Sequence, residues 1–102
     1  MSYYQVFISA ETKEQAGKIL DALLEKKLVL GGPILGGPAK FWWKGKIVEM
    51  NYAYIFTYTI EKLKDEITSV VHKVSEEEVP MVSFVSFEGN SALLKLIDDT
   101  LT

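Results

Sequence analysis

The chain has 102 residues, a formal net charge of −3, 48% apolar residues and 25% charged residues, which is room for one soluble domain with a single core. No apolar run reaches the roughly 18–20 residues of a membrane span, and the opening Met1-Ser2-Tyr3-Tyr4-Gln5 has neither the basic nor the apolar region of a signal peptide, so the expectation is a cytoplasmic protein with no membrane partner. With no cysteine there is no thiolate ligand or nucleophile, and with basic charge carried by lysine alone the side chain that forks onto phosphate and guanine is missing, so nucleic acid is not the expected partner.

In chain order, Tyr3 to Ser9 alternates around Val6 and Ile8 and predicts a strand. Thr12 and Gln15 are spaced as a capping box, and Ala16, Ile19, Leu20, Leu23 and Leu24 recur at helical intervals, predicting a helix over about 13–27. The stretch LVLGGPILGGP, 28–38, holds the near-duplicate Leu30–Pro33 and Leu35–Pro38. Its glycines lack the strand–glycine–helix context and the lysine of a phosphate-binding loop, so it reads as a kinked start to a strand or an irregular loop.

KFWWKGKIVE, 40–49, predicts a β-hairpin turning at Lys44-Gly45, with a long second arm from Lys46 to about Thr59. Successive side chains on a strand point to opposite faces, so Trp42 and Trp43 cover both sides of the hairpin. Along the second arm Tyr52, Tyr54, Phe56 and Tyr58 share one face, and Ala53, Ile55, Thr57 and Thr59 the other. Neither face is patterned for water. From Glu61 a second helix carries Leu63, Ile67, Val70, Val71 and Val74 on one stripe, and Pro80 ends what precedes it. Met81 to Phe87 reads as a further strand. Asn90 or Ser91 caps a tail helix bearing Leu93, Leu94, Ile97 and Leu101.

The order β-α-β-β-α-β plus a tail helix predicts an α+β protein, a ferredoxin-like βαββαβ sandwich with a short C-terminal helix, in a single domain spanning 1–102. Both main helices then lie on one face of a four-stranded sheet. The apolar hairpin needs a cover on its other face, which the short tail helix supplies only in part, and further copies of the chain are the economical cover.

The chain resembles the CutA divalent-cation-tolerance family. The resemblance is carried by FWWKGKI (Phe41–Ile47), similar to that family's Tyr-Trp-Trp-x-Gly-Lys-Ile hairpin, by EVP (Glu78–Pro80) and EGN (Glu88–Asn90), and by the order of elements. It implies a homotrimer of ferredoxin-like subunits packed around an axis, with Trp42, Trp43, Tyr52, Tyr54, Phe56 and Tyr58 as structural residues of hairpin and trimer, and a binding or scaffolding role tied to the response to divalent metals. Two departures stand out. Gly31-Gly32-Pro33 occupies the register in which the family carries a Cys, and Ser75 to Pro80 replaces a His-Pro-Tyr-Glu-Val-Pro string, so that of these the proposed metal-ligating Cys and His are absent and Glu78 remains.

Oxygen donors are left as candidate metal ligands: Glu76, Glu77 and Glu78, suited to weak, unselective divalent binding. The methionines Met1, Met50 and Met81 are too scattered to converge in one subunit, and His72 falls off the apolar stripe of its helix and should face solvent. No cofactor beyond a weakly bound divalent cation is expected, and no nucleophile–base set supports catalysis. The alternative reading is a PII-like signalling trimer holding a nucleotide or other small ligand between subunits, kept open by the glycine-rich stretch.

Overall fold

The computed structural model describes residues 2–102. Strand β1 (Tyr3–Ala10) leads into helix α1 (Lys13–Glu25), followed by β2 (Ile34–Trp43), β3 (Lys46–Ile60), a 3₁₀ turn (Glu61–Leu63), α2 (Lys64–Val74), β4 (Val82–Ser86) and α3 (Ser91–Leu101). The four strands form one antiparallel sheet in the order β2-β3-β1-β4, which is the ferredoxin-like split arrangement with the hairpin on one side of β1 and the last strand on the other.

Helices α1 and α2 cover one face. Ile19, Leu23, Ile67 and Val71 are fully buried there against Val6, Ile8 and Ile55, with Ala10 and Ala53 giving the helices room to approach. Thr57 and Thr59 are buried on this face at no polar cost, because the Thr57 hydroxyl accepts from the Gly31 amide at 3.0 Å and Thr59 donates to the Leu28 carbonyl at 2.8 Å. A second, smaller core sits on the opposite face, where Ile97 and Leu101 of α3 pack against Ile60 with Tyr3, Tyr58 and Phe87 around them.

Helix ends depart from the sequence reading in instructive ways. Thr12 caps α1 by accepting from the Gln15 amide at 3.1 Å, but the Gln15 side chain does not return to complete the box. It accepts instead from the Glu76 amide at 3.1 Å and so ties α1 to the loop after α2. Helix α1 stops at Glu25, short of the expected 27, because Lys27 turns left-handed at φ 52° and the Lys27 and Leu28 amides fold back onto the carbonyls of Leu24 and Leu23, each at 3.0 Å. Asn90 rather than Ser91 caps α3, accepting from the Leu93 amide at 2.8 Å.

The glycine-rich stretch resolves into two different structures. The first copy is a close crossing: Gly31 takes φ 97°, a Cβ on Gly32 would collide with the Phe56 carbonyl oxygen, and the Pro33 carbonyl accepts from the Phe56 amide at 3.2 Å. The second copy lies inside β2, Gly36 opposite Ala53 and Gly37 opposite Tyr52, so the first arm of the hairpin begins at Ile34, within the glycine-rich stretch.

Candidate functional site

The register of the sheet fixes what each face carries. Leu35, Tyr54, Phe56, Phe7 and Val85 are brought to the face away from α1 and α2, because Tyr54 pairs with both Leu35 and Ser9, Phe56 with Phe7, and Val85 with Gln5. Phe7 and Phe56 stack at 4.9 Å, and the rings run on through Phe56–Tyr58 at 5.4 Å and Tyr52–Tyr54 at 5.7 Å. Helix α3 closes one end of this face over Tyr3, Tyr58 and Ile60. The middle stays open: Leu35 is 54% exposed, Val85 48% and Tyr54 39%.

The hairpin reaches past the helices. Trp42 faces Ile47 across the strands, and both are bare at 72% and 62% exposed. Trp43 sits on the other side opposite Lys46 at 37% exposed, so the two tryptophans do lie on opposite faces. Between tip and core Phe41 rests on the Tyr52 ring at 5.4 Å, and Lys40 pairs with Glu49 at 3.1 Å in solvent.

The three adjacent glutamates do not act as a group. Glu77 turns inward, where its carboxylate accepts from the Tyr52 hydroxyl and, at 2.7 Å, from the fully buried Ser9 hydroxyl. Burial and the Glu77 carboxylate beside it push the Tyr52 hydroxyl well above its ordinary pKa. Glu78 turns outward and pairs with Lys44 at the hairpin turn at 3.1 Å, while Glu76 is exposed. The sequence lines these carboxylates up; the fold sends them apart. Among the described residues no three His, Cys, Asp or Glu side chains are grouped to hold a metal ion. Helix α2 leaves His72 exposed, Met50 lies in β3 and Met81 just before β4, and Met1 lies outside the described residues. Among the described residues, the donors of this chain therefore do not converge on a resident metal.

Nor does the glycine-rich stretch make a phosphate cradle, since its first copy is packed onto Phe56 and its second is strand. Beside it a cleft of about 540 Å³ opens between the start of α1 and the hairpin, lined by Glu11, Thr12, Lys13, Gly36, Asn51 and Tyr52 among others. One lysine and one carboxylate offset each other there, which gives no net charge for a polyphosphate.

Sequence reasoning missed Ser9, the inward turn of Glu77, and the bond from the Tyr3 hydroxyl to the Asp98 carboxylate, at 2.9 Å to its nearer oxygen, which pins α3. Ser9 falls in an alternation it does not disturb, and no local signal marks it.

Comparison with known proteins agrees with this geometry. The family described as CutA1 divalent ion tolerance protein matches residues 4–100. The divalent-cation tolerance protein CutA of Archaeoglobus fulgidus is 32% identical over 98 residues, covering 94% of this chain and 95% of that protein. A solved structure from the same organism, described as a periplasmic divalent cation tolerance protein, superposes with a TM-score of 0.84 at 26% identity, covering 98% of this chain and 99% of the other. CutA1 from Oryza sativa shares the fold at a TM-score of 0.92 and 23% identity, covering 100% of this chain and 95% of its own. From the two-faced tryptophan hairpin to the tail helix, this chain belongs to the CutA1 family of divalent ion tolerance proteins.

Proposed function

We propose that this chain works as a homotrimer, as a non-enzymatic binding or scaffolding protein in the tolerance of divalent cations. The observation that carries the assembly is the uncovered sheet face: Leu35, Tyr54 and Val85 stand exposed beside a stacked Phe7–Phe56 pair, while the other face is sealed by two helices. An apolar, rigid strip of this kind is stable in water when another copy covers it. The family supplies the link to divalent cations.

The role follows from what the side chains do. Glu77 and Glu78 are spent on Tyr52, Ser9 and Lys44, so the protein does not sequester a metal tightly within one subunit, and divalent binding is weak and of oxygen type. The site of action is taken as the cytoplasm, and fractionation of cells expressing the full chain tests it; recovery with periplasmic markers replaces that assignment.

Growth of a host lacking its own CutA1-type protein, with and without this chain, under rising copper, zinc or cobalt tests the role. Expression should raise the tolerated concentration, and identical growth curves contradict the proposal. A thermal-shift screen of ATP, ADP and AMP against the same metals separates it from a PII-like nucleotide sensor, which a nucleotide-specific shift would favour.

A further inference from the structure

The loop between α2 and β4 touches the hairpin at two places through two consecutive residues. Glu77 is fastened to the root: its carboxylate takes the hydroxyls of Tyr52, on β3, and Ser9, on β1, and the same Ser9 oxygen accepts the Met81 amide at 3.0 Å while the Ser9 amide donates to the Met81 carbonyl at 3.0 Å. Glu78 is fastened to the tip: its carboxylate pairs with Lys44, whose backbone is held left-handed at φ 50° in the turn. The root is enclosed, with Ser9 fully buried and Tyr52 at 8% exposed, whereas Lys44 and Glu78 are solvated over most of their side chains. The far end of the loop is itself tied back, since the Glu76 amide is held by Gln15 of α1.

We infer that residues 75–81 form a strap that sets the angle of the hairpin against the domain, with Glu77 as its anchor and the Glu78–Lys44 pair as its hold on the tip. The two ends differ in kind. A carboxylate accepting two hydroxyls in an enclosed site is strong and unresponsive to salt, whereas an exposed ion pair is weak and screened. The contact at the tip is therefore the one that yields first, while the root stays closed. This holds for a single subunit and does not depend on the trimer.

The strap makes a prediction that two independent contacts do not. Lys44 and Glu77 do not touch, so their effects should multiply if each acts alone. Amide hydrogen exchange over residues 41–48 is measured in the native protein, Lys44→Gln, Glu77→Gln and the double variant, at matched assembly mass. Lys44→Gln should speed exchange of the tip about two- to fivefold in the native background, the scale of an exposed ion pair. In the Glu77→Gln background, where Glu78 has lost its footing, the same substitution should change nothing. Tyr52→Phe, which removes one of the two hydroxyls and keeps the ring, provides a second background, in which the Lys44→Gln effect should shrink, should Glu77→Gln fail to fold. A Lys44→Gln effect that persists undiminished in either background, or that is absent from the native protein, overturns the strap.

Discussion

At the scale of single residues, tyrosine hydroxyls carry the long-range polar order of this fold. Tyr52 donates to Glu77 and Tyr3 to Asp98, and each bond fastens a segment, the 75–81 loop or α3, onto the sheet face that the two main helices leave free. Burial first, and then the bond to Glu77, raise the pKa of Tyr52; the bond to Asp98 raises that of Tyr3, and the bond to Glu61 that of Tyr4. Below the ordinary tyrosine value of about 10 these phenols hold their protons in both folded and unfolded states, and their full contribution to stability is present. As the pH climbs past that value the unfolded chain gives up protons that the folded chain keeps, so stability should fall above about pH 10. Chemical denaturation across pH 7–11.5 checks this, and Tyr52→Phe should blunt the fall. A second prediction at this scale concerns metals. Isothermal calorimetry on metal-stripped protein should show no submicromolar Cu(I) or Zn(II) site, because tight binding needs soft or imidazole donors that converge. Stoichiometric submicromolar binding would mean that His72 or methionines of several copies of the chain meet.

At the scale of elements, the glycine-rich stretch shows how one sequence motif serves two structures. Gly32 crosses β3 so closely that a side chain would drive into the Phe56 carbonyl oxygen, while Gly37, in the second copy, has open space around it. Gly32→Ala should therefore destabilise the protein by about 2–3 kcal/mol through displaced backbone, and Gly37→Ala should stay within about 0.5 kcal/mol; urea midpoints of the two variants decide it. The contrast also marks what was legible in the sequence. The strands and helices announced themselves through period: Tyr52, Tyr54 and Phe56 alternate with Ala53, Ile55 and Thr57, and Ile67, Val70 and Val71 fall on one helical stripe, so fold and faces followed from local spacing. What Gly32, Ser9 and Glu77 do is set by partners far along the chain, Phe56, Met81 and Tyr52. Adjacent carboxylates look like a ligand set only while their directions are unknown, and Gln15 looks like half a capping box until Glu76 takes its oxygen. Local pattern carries the architecture; the direction of a side chain in a loop is decided by the finished fold.

At the scale of the whole molecule, the chain by itself leaves apolar surface uncovered. Trp42 and Ile47 form an exposed apolar pair at the end of a long arm, and the stacked rings of β1 and β3 continue into bare Leu35 and Val85. Most of the exposed large apolar side chains, Leu35, Trp42, Trp43, Ile47, Met50, Tyr54 and Val85, belong to the hairpin and the open sheet face. If those surfaces are closed by neighbouring copies, Trp42→Ala and Trp43→Ala should each cost roughly 3–5 kcal/mol, the price of truncating a well-buried indole, and should lower the melting temperature or split the assembly. Unchanged melting and assembly in both variants would place the indoles in solvent. The most direct test of the account is the mass of the native protein in solution, by light scattering at micromolar concentration. The account predicts a single species of three times the 11.5 kDa chain mass, and a species of 11.5 kDa would contradict it.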